Sequence, residues 1–232
     1  MSISYAKKLF FLVIFILPVL FARAQTINVG SIDAGPYGSG SSISIPIKLS
    51  NGSGCFAMNN VFDLYLSDAN GNFGAQKKIG TISGFYATFV NGIIPAGTPA
   101  GTGYKLQVIS TAPVITSGTS SAFTINNSAG VLAAVSSQII NPQYPEVFGT
   151  CNGTPNTTTK YTFLNQSTSG ASVTATFFND LAQTAEGGTV SVSPSAILNA
   201  NAANYTVTVK AVNGGIVGTK SYLLMNNVAN SK

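Results

Sequence analysis

The same alternating pentapeptide starts twice with a tyrosine, Tyr104-Lys-Leu-Gln-Val and Tyr205-Thr-Val-Thr-Val, about a hundred positions apart. Apolar and polar residues alternate in both, the period-2 pattern of a strand with one buried face. The spacing matches the length of one seven-strand β-sandwich, ~100 residues. The chain therefore reads as two β-sandwiches in tandem, one over residues 25–126 and one over residues 131–232.

Residues 1–24 stand apart from that pattern. Lys7 and Lys8 precede an unbroken apolar run, Leu9 to Phe21, and Ala22-Arg23-Ala24 places small residues where a signal peptidase reads them. This is the signature of a cleaved leader, with the mature chain starting at Gln25. As a helix the run spans about 20 Å, short of the ~30 Å hydrocarbon core of a bilayer. No later run is long enough, so the reading is an exported protein that is not transmembrane. The leader takes Lys7, Lys8 and Arg23 with it. Eleven cations become eight against six acids, and the net charge falls from +5 to +2. No arginine remains, and Lys77-Lys78 is the sole adjacent pair, which argues against nucleic acid as a partner.

In the first half, alternation marks an inward row of Ile43, Ile45, Ile47 and Leu49 and another of Phe62, Leu64 and Leu66. Further strands are predicted at Thr26–Ile32, Lys78–Ile82, Ala87–Ile94, Tyr104–Ser110 and Ala122–Ile125. Asn126–Gly130 reads as a short polar linker. In the second half, strands are predicted at Tyr161–Leu164, Val173–Phe177, Thr189–Val192, Tyr205–Val212 and Ile216–Met225, with a hairpin turn at Asn213-Gly214 and a helical turn at Ala182–Ala185.

The residues that would carry chemistry are few. There is no histidine, which removes the commonest general base and metal ligand. The six acids are Asp33, Asp63, Asp68, Glu146, Asp180 and Glu186. Asp33 and Asp63 are the pair that neighbouring strands could bring together, but a lone acid at a strand end is the commoner case. Asp68, Asn70 and Asn72 place oxygens at alternate positions like the start of a calcium loop, without its distal glutamate. The same residues make a hairpin turn, with Asn70-Gly71 supplying the positive φ. Phe85, Tyr86 and Phe89 cluster at one turn and are the candidate platform for a glycan, against the plainer reading of an aromatic core. The absence of Trp weakens a glycan reading. Thr174, Thr176, Thr206 and Thr208 read as a solvated sheet face. Cys55 and Cys151 share an oxidising compartment on this reading, yet sandwiches laid end to end would hold them beyond the ~7 Å Cα limit of a disulfide.

The stretches Asn60-Val61-Phe62, Leu66 to Phe73, Ile94-Pro-Ala-Gly-Thr-Pro-Ala-Gly-Thr-Gly-Tyr104 and Leu106 to Ser110 resemble an immunoglobulin-like module. That module is repeated in large surface proteins that gliding bacteria secrete through the type IX system. Phe163-Leu-Asn-Gln-Ser-Thr168 and the Tyr205 strand resemble a PKD-type sandwich. The resemblance implies a secreted or cell-surface, non-enzymatic protein for adhesion or spacing, whose partner is a surface protein or a glycan. A carbohydrate-binding accessory role in a polysaccharide-degrading system is the alternative. That group usually carries a C-terminal sorting domain, and nothing before Lys232 resembles one. On this reading the chain is a short family member, the product of a truncated gene or a fragment of a longer protein, and it is periplasmic if truncated. No cofactor is implied beyond the calcium candidate. Within the same segment, Tyr104 is placed to fold its hydroxyl onto an upstream backbone group, a tyrosine corner, with Gly101 and Gly103 giving close passage and positive φ, so Tyr104 and Tyr205 read as structural residues and not as ligand-stacking ones.

Overall fold

The computed structural model describes residues 25–50, 55–137, 146–150, 159–180, 182–193, 195–200 and 204–226. The expected leader, residues 1–24, and Cys151, with the question of its pairing to Cys55, lie outside the described residues. All regular elements among the described residues are strands. The first half holds β1 (Thr26–Val29), β2 (Tyr37–Ser39), β3 (Ser42–Ser50), β4 (Val61–Leu66), β5 (Lys77–Ser83), β6 (Phe89–Ile93), β7 (Gly101–Tyr104), β8 (Leu106–Thr111), β9 (Val114–Thr119) and β10 (Phe123–Ala129). The second holds β11 (Val135–Ser137), β12 (Val147–Thr150), β13 (Thr159–Asn165), β14 (Ser172–Asn179), β15 (Thr184–Ser191), β16 (Ser195–Ala200), β17 (Asn204–Asn213) and β18 (Ile216–Asn226).

One topology occurs twice. In the first half a three-stranded sheet β1-β3-β6 faces a four-stranded sheet β5-β4-β8-β9. In the second half the sheet β11-β13-β16 is matched by the run β15-β14-β17-β18. Chains that pass in this order between a three- and a four-stranded antiparallel sheet form the immunoglobulin-like sandwich. The alternating rows do what their period requires. Ile43, Ile45 and Ile47 of β3 and Phe62, Leu64 and Leu66 of β4 enclose one apolar cluster with Leu106 and Val108 of β8. Val173, Ala175 and Phe177 of β14 and Val207, Val209 and Ala211 of β17 enclose another with Phe148, Phe163 and Tyr222. Tyr104 belongs to the first cluster and Tyr205 to the second.

Tyr104 ends β7 instead of opening a strand, and its hydroxyl donates to Pro99 O at 2.7 Å. This is the tyrosine corner. A Cβ on Gly101 would come within 2.8 Å of Ala69 Cβ, and one on Gly103 within 2.5 Å of Ala69 O. Both glycines are there for close passage, and neither has the positive φ predicted for it. Tyr104→Phe removes the hydroxyl and keeps the ring. It should cost about 1 kcal/mol, read as a fall in the urea midpoint with an unchanged slope. Tyr205, at the equivalent point of β17, instead donates to Glu186 Oε2 at 3.0 Å.

Three expectations fail for identifiable reasons. Asn126–Ala129, predicted as linker, continues β10 and pairs in parallel with Gly38 and Ser39 of β2. Polar composition suggested a loop, but the ladder satisfies the backbone whatever the side chains are. Ala182 and Gln183 form a turn, and Thr184 already opens β15, so no helical turn extends over 182–185. Strands β2, β7 and β9 were not predicted because Gly and Pro punctuate them.

Candidate functional site

The two halves meet along a seam of small polar side chains. On β3 the isoleucines point into the first cluster, so Ser42 and Ser44 necessarily point the other way. On β17 and β18 the same alternation turns Thr206, Thr208, Thr219 and Ser221 away from the second cluster and toward those serines. Ser44 N donates to Thr219 Oγ1 at 3.0 Å, and Ser44 Oγ lies 2.8 Å from Ser221 Oγ. Ser221 Oγ also lies 3.0 Å from Thr208 Oγ1. Ser42 Oγ accepts from Ala133 N at 2.9 Å, and Ser41 Oγ accepts from Val131 N at 3.0 Å. Lys210 pairs with Asp33 across the same line. A Cβ on Gly218 would overlap Val131 O, so only glycine lets β18 pass this close to the segment between β10 and β11. The predicted solvated threonine face is therefore corrected at Thr206, which is 5% exposed and lies in the seam. Thr176, farther out on β14, is exposed.

Asn91 of β6 closes the seam. Its Nδ2 donates to Ser221 O at 2.8 Å, and its Oδ1 accepts from Ser221 N at 2.9 Å. One side-chain amide thus does for the edge of β18 what a neighbouring strand would do. Val217 N donates to Pro36 O at 2.9 Å beside the β18–β2 bridge, and β2 pairs with β10. One hydrogen-bonded sheet, β15-β14-β17-β18-β2-β10-β7, consequently runs through both halves.

Where the halves diverge, a cleft of about 630 Å³ opens. Its first-half wall carries Asn28, Lys48 and Tyr86, and its second-half wall carries Phe178, Asp180 and Gln183. Tyr86 is 57% exposed and Phe178 38%. The Asp180 carboxylate lies 2.9 and 3.1 Å from Thr206 Oγ1, which lies 2.7 Å from Thr88 Oγ1. A carboxylate only accepts, so Thr206 spends its proton there and Thr88 donates to Thr206. Burial pushes the Asp180 carboxyl up to about 6, with the Thr206 hydrogen bond opposing it. The Tyr86 phenol is raised in turn, first by burial and then by the charge on Asp180. Gln183 sits at φ 55°, a left-handed conformation unusual for a residue other than glycine,. Its Nε2 donates to Asp180 O at 2.7 Å.

The folded state holds the Asp180 proton more tightly than an unfolded chain, whose aspartate titrates near ~3.9. Its contribution to stability therefore grows as pH falls from about 7 to about 4, and ionisation above about 6 destabilises the fold. Asp180→Asn should raise stability at pH 7.5 by about 1 kcal/mol, after allowance for solvent screening of a half-exposed group. It should also flatten the gain on acidification relative to the parent chain, as urea midpoints at pH 5 and 7.5 would show.

The residues singled out in the sequence divide clearly. Tyr86 lines the cleft. Phe85 is 53% exposed but outside the lining. Phe89 is 2% exposed, which rules it out as a platform; β6 alternation turns Val90 into the first cluster and Phe89, like Asn91, to the opposite face, where it is covered. Asp68 Oδ1 accepts from the backbone N–H of Asn72 at 2.8 Å and of Asn70 at 2.9 Å, and Oδ2 from Asn72 Nδ2 at 3.2 Å. Those bonds, the Asn72 amide foremost, hold its carboxyl below the usual carboxylate range. Asp68, Asn70 and Asn72 thus form the hairpin turn, with the carboxylate occupied by donors. Asp33 and Asp63 do not meet; each faces a lysine, Lys210 and Lys78. Cys55 is an exposed free thiol.

No family model and no curated protein matches the sequence. Among solved structures, the chain is similar to the FN1–FN3 domains of chicken CNTN1, at 11% identity and TM-score 0.30, over 88% of this chain and 64% of that one. It is similar to the BSP domain of a biofilm associated protein, at 16% identity and TM-score 0.34, over 88% of this chain and 30% of that one. The fibronectin(III)-like modules of Clostridium thermocellum CbhA align at 13% identity and TM-score 0.30, over 89% of this chain and 97% of that one. The chain thus spans less than two thirds of the first two.

Proposed function

We propose that this chain is an exported, non-enzymatic spacer and interaction unit of a cell surface, built from two sandwiches, 25–126 and 131–232, locked into one rigid body. The observation that carries the reading is the sheet that runs through both halves. Two domains joined by a flexible linker swing freely unless their interface is extensive. Here, flexing would break the β18–β2 bridge and leave both backbone groups of Ser221 unpaired. Such a body holds its end loops at a fixed spacing, which is what presentation to a partner requires. The lack of histidine and the pairing of Asp33, Asp63 and Glu146 with lysines favour a non-enzymatic role. Among the described residues no helix is long and apolar enough to cross a membrane. The leader, the type IX resemblance and the hydroxyl-rich strands favour export.

Small-angle scattering of the exported chain tests the rigid body. One fixed shape should fit the curve at both low and high salt. A curve that needs an ensemble of inter-half angles contradicts the reading. Expression of the full chain in a Gram-negative host should yield a mature N-terminus at Gln25.

A further inference from the structure

We infer that the cleft at the seam is a binding site for a neutral oligosaccharide. The inference rests on the two halves being locked, because neither half lines the cleft alone.

A sugar ring has an apolar C–H face and a rim of hydroxyls, so its site must offer an exposed aromatic ring together with groups that both donate and accept. The cleft offers both. Tyr86 reaches it from the loop before β6, and Phe178 from the outward face of β14. Every other outward residue along β14 is Ser or Thr except this one, so an aromatic here has no part in the second apolar cluster. The polar complement is Asp180, an acceptor in a partly dry wall, with the amides of Asn28 and Gln183 and the ammonium of Lys48.

These groups are held before any ligand arrives. Thr206 fixes the Asp180 carboxylate, and Thr88 of the opposite half fixes Thr206. Gln183 is held at its unfavourable φ by hydrogen bonds from its backbone N–H to Asn179 O at 2.8 Å and from its amide to Asp180 O. Backbone strain of this kind collects at ligand sites, and preorganised walls lose less freedom on binding. The volume of about 630 Å³ lies within the ~300–1,000 Å³ of small-ligand clefts,. Charge selects among ligands. An anion would meet Asp180 and a cation would meet Lys48, so a neutral polyol is the class that both tolerate.

The probes are cello-, xylo-, manno-, malto- and laminari-oligosaccharides of six units, titrated calorimetrically into the exported chain. At least one series should saturate below about 10 mM. Tyr86→Ala and Phe178→Ala should each weaken it about tenfold or more. Phe85→Ala, exposed nearby but outside the lining, should leave the affinity unchanged. The inference is overturned if no neutral probe saturates, if Tyr86→Ala binds as well as the parent, or if amine-bearing chitosan oligomers are preferred. Scattering on the same samples separates the two readings. A rigid body that binds no sugar defeats the saccharide site alone, whereas a flexing pair defeats the spacer reading.

Discussion

Phe62→Ala should lower the melting temperature of the whole chain by roughly 10 °C in a single calorimetric transition. Phe62 is fully buried at the centre of the first apolar cluster, 5.1 Å from Phe56 between ring centroids. Truncating a buried Phe to Ala costs about 3–5 kcal/mol, in lost transfer energy and in the cavity left behind. In a chain of this size each kcal/mol is worth about 2–4 °C. The transition should stay single because Val217, from β18 of the second half, belongs to the same cluster as Phe62. Loss of the first core removes the surface on which β18 closes. Two separated transitions, of which only one moves, would show that the halves fold independently.

Asn91→Ala should cost about 2 kcal/mol without disturbing either apolar cluster. Its side chain is the partner of both the N–H and the C=O of Ser221, a residue with no exposed surface. Removing one amide leaves two backbone groups unpaired, and each such group costs about 1–3 kcal/mol. Asn91→Asp separates the two bonds. The carboxylate still accepts from Ser221 N–H but repels Ser221 O, so at pH 7 the Asp variant should be no more stable than the Ala variant. Amide exchange reads this locally. The Ser221 N–H should lose protection by more than tenfold in Asn91→Ala and by less in Asn91→Asp, which keeps its acceptor, while Val108 in the first core stays protected. Undiminished protection at Ser221 in Asn91→Ala would mean that β18 is not held from this side.

Much of the fold could be read from the sequence, because the β3, β4, β14 and β17 rows carry clean alternation with one apolar, buried face. The tyrosine corner could be read for the same reason: a Gly-x-Gly-Tyr before a strand allows few geometries. The seam was hidden in the polar half of that pattern. Ser44, Thr206 and Ser221 look like solvent-facing residues until two such faces are laid together, and single-strand periodicity cannot tell water from a second hydroxyl row. Asn126–Ala129 misled by composition. The cleft was partly visible. Tyr86 was singled out, whereas Asp180 stood among the six acids without an assigned partner and Gln183 fell within the expected helical turn at 182–185. The available signal was Phe178, an aromatic on the outward face of a strand otherwise lined there by Ser and Thr. Its meaning depends on which residues from a hundred positions away lie opposite, and local pattern does not encode that.

The most direct test of the locked seam is a cross-link through it. In a Cys55→Ser, Cys151→Ser background, Ser44→Cys and Ser221→Cys replace two hydroxyl oxygens that lie 2.8 Å apart, close to the reach of a disulfide at ~2.05 Å between sulfurs. Mild air oxidation should convert nearly all of the monomer to an intramolecular disulfide, with the scattering curve unchanged. Two thiols that remain titratable in the folded monomer, or cross-links found only between molecules, would show that β3 and β18 do not lie together and that the halves are not one body.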